Sequence, residues 1–194
     1  MLKTNLVTDS TVEPVSVSEV KNHLRVTDNS EDALLAGLIT SARKIVEQFT
    51  RRTLVNQTWR LYLDQFPYRS TIELPFPPLA SVTHIKYYDQ DGALQTLPAS
   101  EYQTDNRSTP GLIVLTENGA WPLTEGDKVN AVEIEFIAGY GATAAAVPSP
   151  IRLAITHLVS HWFENREPFA SGQMYQVPST FEMILMPYRF LRLG

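Results

Sequence analysis

Residues 30–66 read SEDALLAGLITSARKIVEQFTRRTLVNQTWRLYLDQF, and the apolar spacing changes once inside them. Up to Phe49, the residues Leu34, Leu35, Leu38, Ile39, Ala42, Ile45, Val46 and Phe49 recur at intervals of three and four, the period of a helix with one buried face. Ser30 is suited to cap the start, and Glu31 and Asp32 sit at the positive end of the helix dipole, so the spacing predicts a helix over 31–51. From residue 55 the apolar positions alternate instead, as QTWRLYLDQF shows, which is the period of a strand with one covered face. A chain that begins helical and turns to strands is α+β.

Working outward, alternation continues through TIELPF, SVTHIKYYD, EYQTD, GLIVLT and NAVEIEFIAGY, with a turn signal at Asp91-Gly92 and Pro75, Pro77 and Pro78 in the connections. Residues 55–140 are therefore expected to form an antiparallel β-domain of about six or seven strands, a small barrel or sandwich. GYGATAAAVPSP leads back to helix, with Ser149 as cap, Pro150 at the first helical position, and Ile151, Ala154, Ile155, Leu158, Val159 and Trp162 as the buried stripe up to about Glu167. Upstream, residues 1–15 read as an extended arm, and SVSE at 16–19 has the capping-box spacing of a short helix to about residue 25. Past Pro168 a loop leads to Ser179, which could cap a short helix carrying Phe181, Ile184 and Leu185 before Pro187 stops it.

The organisation expected is a helical core of two longer helices plus short N- and C-terminal ones, interrupted by the β-domain. Residues 1–54 hold the arm and the first part of the core, 55–140 the β-insertion, 141–168 the second part of the core, and 169–194 a loop and an apolar, basic tail. Such a tail calls for a partner surface.

The chain has 194 residues, enough for a substantial hydrophobic core, and its 43% hydrophobic and 19% charged residues are those of a globular protein. It contains no cysteine, which removes disulfides, thiolate metal sites and a thiol nucleophile. The net charge is −5 and the basic residues are scattered, so tight DNA binding is not expected, while a wall that repels DNA stays compatible with the charge. The N-terminus lacks the pattern of a secretory signal and no stretch is long and apolar enough to span a bilayer, so a soluble protein made in the cytoplasm, with no membrane partner, is expected.

Motifs for chemistry are weak. His157 and His161 are four apart with Glu164 three further on, but Leu158 stands where a metalloprotease helix places its general base. Asp89, Asp91 and Gly92 fit a hairpin turn better than a calcium loop, and GYGAT lacks the Lys-Ser/Thr of a phosphate loop. No nucleophile elbow occurs, and carboxylates such as Asp64, Glu73 and Glu101 have no visible pairing. No catalytic residue, metal ligand or cofactor is assigned. A runner-up reading is a carbohydrate- or peptide-binding β-module using Tyr62, Tyr87, Tyr88, Tyr102 and Trp121, and a hydrolase with an unrecognised site is a third.

The order of segments carries more than any single motif. VSVSEVKNHLRV at 15–26, SEDALLAGLITSARKIVEQFTRRTLVNQTW at 30–59, ELPFPPLASVTHIKYYDQDG at 73–92, FIAGYG at 136–141, VPSPIRLAITHLVSHWFENRE at 147–167 and VPSTFEMILMPYR at 177–189 together resemble the head-to-tail connector, or adaptor, proteins of tailed bacteriophages and gene transfer agents. The resemblance implies a non-enzymatic subunit of the virion neck, assembled in the bacterial host cytoplasm. Copies would form a ring under the portal protein, usually twelve-fold in such particles, continue the DNA channel and dock the next neck or tail protein. Partner-docking anchors are then expected at Phe181, Ile184, Leu185, Tyr188 and Phe190, with Arg189 and Arg192 meeting acidic groups. Inter-subunit pairing is expected from Arg43, Lys44, Glu47, Glu164, Arg166 and Glu167.

Overall fold

The structure is a computed structural model that describes residues 3–165 and 179–191, with the backbone alone at 179 and 180. It is α+β, with antiparallel strands and four α-helices among the described residues. These form two compact units, one of residues 3–10 and 56–140, the other of residues 11–55, 141–165 and 179–191.

The first unit holds the strands β1 (Lys3–Thr8), β2 (Gln57–Leu63), β3 (Thr71–Glu73), β4 (Leu79–Tyr88), β5 (Leu94–Thr96), β6 (Tyr102–Asp105), β7 (Leu112–Leu115) and β8 (Val132–Ala138). One sheet runs β1-β2-β8-β4-β5 and a second runs β3-β7-β6. β8 is central because its alternation is strict: Val132, Ile134, Phe136 and Ala138 are buried, while Glu133 and Glu135 face the other way. Pairing of Trp59 with Phe136 and of Ile85 with Ile134 sets the register of β2 and β4 on either side. Leu61, Ile72, Leu79, Ile85 and Ile113 join the buried side of β8 in one core that both sheets share. A closed barrel does not form, contrary to one of the two shapes expected. β1 and β5 are the opposite ends of the larger sheet, and β5 is three residues long, pairing only with residues 86–88 of β4.

Two local features follow from single residues. The turn after β4 closes on the Asp89 carboxylate, which accepts the N–H groups of Asp91 and Ala93 at 3.1 and 2.9 Å, with Gly92 at φ +78°. Gly111 lets β7 begin against β4, since a Cβ there would stand 2.4 Å from Cβ of Leu79. Residues 3–8, read from sequence as an arm, are indeed extended but make one edge strand of the larger sheet, with Lys3 Nζ 2.7 Å from the Asp64 carboxylate.

The second unit packs α1 (Val17–Leu24), α2 (Asp32–Thr50), α3 (Ser149–Glu164) and α4 (Ser179–Leu185), the last continued by a 3-10 turn over Met186–Tyr188. The capping box is formed: Ser16 Oγ accepts from Glu19 N at 3.1 Å, and the Glu19 carboxylate accepts from Ser16 N at 2.8 Å. Ser30 does not cap α2, because its hydroxyl is committed to Asp28 at 2.8 Å and Glu31 stands at the cap position. α2 and α3 pack on each other, and α1 and α4 pack on both. Leu35, Ile39, Ala42 and Val46 of α2 meet a core that includes Ile151, Ala154, Ile155, Leu158 and Val159 of α3. The predicted face of α2 was too broad: Leu34 and Ile45 are 40% and 41% exposed, while Arg43 and Thr50 are buried. Among the described residues no helix is long and apolar enough to cross a membrane.

Candidate functional site

Among the described residues the histidines and carboxylates are spread over separate places. The His157 ring is exposed and lies 5.5 Å from the His23 ring, centroid to centroid. His161 is half-buried, with Asn165 Nδ2 3.3 Å from its Nδ1. Both line a polar notch with Arg25, Ser160 and Glu164. Among the described residues no group of three or more His, Asp or Glu side chains is placed to hold a metal ion. On the outer face of the larger sheet, Arg60 lies 2.9 Å from Glu135 and 3.5 Å from Glu133, and His84 lies 3.4 Å from Glu133. These are cross-strand pairs between β2, β8 and β4, which stabilise the sheet.

The strand aromatics proposed for a ligand face are mostly used internally. Trp121 stacks on the buried Phe66 at 5.0 Å and donates its indole N–H to the Arg69 carbonyl at 2.8 Å. Tyr87 meets Phe66 edge-on at 5.7 Å, and Tyr102 packs against the same core, where burial pushes its hydroxyl pKa up. Tyr88 lies under the Lys128 ammonium at 3.8 Å.

The expected docking tail is largely tied to its own subunit. Phe181 and Leu185 are 4% and 0% exposed, Phe181 facing Phe49 of α2 with ring centroids 5.9 Å apart. A seven-residue helix with two apolar residues four apart thus covers the end of the α2–α3 pair. Past α4, Arg52 Nε donates to the Tyr188 carbonyl at 2.6 Å, Phe190 N donates to the Thr50 carbonyl at 2.8 Å, and Arg189 lies over the Phe49 ring at 5.4 Å. Ile184, Tyr188 and Phe190 are half-buried, and Arg192 lies outside the described residues. The open apolar surface is instead on the other side of α4, where Met183, Met186 and Leu191 are 72%, 57% and 62% exposed. Met183 and Met186 line a shallow groove with Glu182 and Pro187. The sequence carries this signal, since both faces of FEMILMP are apolar.

Of the inter-subunit candidates, Arg43 is buried and its guanidinium is held within the chain, 2.9 Å from Glu13 and 3.2 Å from Glu47. Glu13 also accepts from Thr40 Oγ1 at 2.8 Å, and Glu47 from the backbone N–H of Leu54 at 3.1 Å. Glu13 had no visible link to Arg43 in sequence, thirty positions away. Lys44 and Glu164 are exposed, and Arg166 and Glu167 lie outside the described residues.

The described side chains are placed by packing, hydrogen bonds and ion pairs within the chain. A family model described as head completion protein matches residues 13–191, so the chain belongs to the head completion protein family. Among solved structures, a chain in the neck of an empty gene transfer agent particle, computed with C6 symmetry, superposes with TM-score 0.80 at 25% identity, over 99% of this chain and 97% of that one. A chain of the native gene transfer agent virion gives 0.79 at 24% identity over 98% and 97%. A third, in the native neck computed with C12 symmetry, gives 0.76 at 24% over 100% and 97%. No curated protein matches the chain.

Proposed function

We propose that this chain is a structural connector of the virion neck of a tailed phage or phage-like particle, without enzymatic function. Copies close into a ring, twelve in number, beneath the portal protein, continue the DNA channel and receive the next neck or tail protein. The observation that carries this reading is likeness over the whole chain, both units included, to proteins of a particle neck. Symmetry of six and twelve in those necks favours a ring, which needs two different faces on each subunit meeting at an angle that closes. A net charge of −5 suits a channel wall that does not retain DNA.

The exposed edge of α4 and the tail, Met183, Met186 and Leu191, is the surface offered to the portal or to the next neck protein. Methionines suit it because they adapt to a partner's contours. The double variant Met183→Asp/Met186→Asp tests this: the two side chains are exposed, so the fold should change by less than about 0.5 kcal/mol. Heads carrying it should fail to join tails in electron micrographs of purified particles. Full joining with a normal count of infectious or DNA-transferring particles would refute the assignment.

A further inference from the structure

α2 has more apolar surface than its own subunit covers. At 3.6 residues per turn, Leu34, Leu38 and Ile45 lie roughly 90° around the helix from the centre of the buried stripe Leu35, Ile39, Ala42, Val46. Leu34 and Ile45 are exposed and Leu38 is half-buried, so this second stripe is a flank of the helix open to outside. Gly37 sits beside it in mid-helix. A glycine there costs about 1 kcal/mol relative to alanine, and a close approach by another part of the structure is one reason to keep it. Among the described residues none comes that close: a Cβ at Gly37 would meet no atom within 4 Å.

We propose that this flank of α2 is covered by the next copy of the same chain in the assembled neck, whose backbone or side chains come close at Gly37. The inference rests on the ring reading and identifies one half of its subunit–subunit contact. A copy of the chain is the occupant for three reasons. The similar necks are built with six- and twelvefold symmetry, so each copy meets another on its flank. The stripe is apolar, which does not suit the phosphate backbone of DNA. The α4 methionines form a separate patch, which already serves the portal or the next neck protein and leaves the α2 flank for a copy of the chain.

The chain has no cysteine, so one introduced thiol is unique. Ser41 is exposed beside the stripe, and Ser41→Cys carrying a benzophenone maleimide, assembled as the full chain into particles, should on irradiation give a species of twice the chain mass. Mass spectrometry should find its second peptide in the same protein. Cross-links only to a different protein, or none in particles that contain the labelled chain, would overturn the inference and leave the ring intact. Native mass measurement showing one copy per neck would overturn both. Gly37→Leu is the second variant and decides the matter if the label is excluded. The free chain should melt at the same temperature or higher, while incorporation into particles falls about tenfold, the factor given by about 1.4 kcal/mol of overpacking at one contact. Unchanged incorporation would overturn the inference.

Discussion

Replacing Arg43 by methionine distinguishes an internal clamp from an inter-subunit contact. The guanidinium is 1% exposed and joins Glu13, on the segment before α1, to Glu47 near the end of α2. Removing one partner of a fully buried pair costs about 3–5 kcal/mol, because the opposite charge is left without compensation. The Glu13 and Glu47 side chains are 27% and 15% exposed, so water reaches them in part and the cost should fall to about 2–4 kcal/mol. At roughly 3 °C per kcal/mol for a chain of this size, the melting temperature of the isolated protein should drop by about 6–12 °C. Differential scanning calorimetry of the purified variant measures this directly. The triple variant Arg43→Met/Glu13→Gln/Glu47→Gln should recover about half of the loss, since neutral amides tolerate the site better than lone carboxylates. An Arg43→Met protein that melts like the wild type but does not enter particles would refute the reasoning and return Arg43 to the subunit interface.

Three further outcomes are expected. Ser16→Ala should cost about 1 kcal/mol in urea denaturation, because the N–H of Glu19 loses its cap. The Glu19 carboxyl is held below the usual carboxylate range, first by the Ser16 backbone N–H, with smaller help from the Ser16 hydroxyl and Arg152. A lowered pKa stabilises the fold above the ordinary value of about 4.3 and the contribution disappears as pH falls through the folded value. Glu19→Gln should therefore be less stable than wild type at pH 7 and indistinguishable from it in acid, as thermal melts across pH will show. Gly111→Ala should destabilise the β-unit by about 1–3 kcal/mol, since the added methyl meets Leu79; a neutral result by chemical denaturation would mean that β7 and β4 can separate at no cost.

Much of the architecture was legible because period is a local property. The helical spacing of α2 and α3, the alternation of β8 and the Asp-Gly turn after β4 all depend on residues within one element. Four kinds of feature were not legible. Sheet order pairs β2 with β8 across some seventy positions, and no local pattern states it. Arg25 and Arg51 end α1 and α2 in the left-handed conformation without the glycine that usually marks it. The Glu13–Arg43 clamp joins residues whose types alone suggest solvent or a partner. For α4, two apolar faces on one short helix left open which would turn inward, and the contact of Phe181 with Phe49 decides it.

The misreading of α2 carries the most information about function. A helix that buries one side in its own domain needs an apolar arc of about 100° or somewhat more, and Leu34 through Phe49 present one of about 140°. Treating the whole arc as core was the natural reading for an isolated domain, and it is the wrong one: the chain supplies a covering layer for only part of it. Selection for monomer stability alone would have placed polar residues at positions 34 and 45 and alanine at 37, since each change removes exposed apolar surface or a helix-weakening residue. The contact proposed for the assembly would account for them, since the same residues would there become interior. For a protein whose output is shape, the excess of apolar residues over what the subunit can bury is therefore the counterpart of a perturbed carboxylate in an enzyme: a local disadvantage that marks where the molecule meets something else.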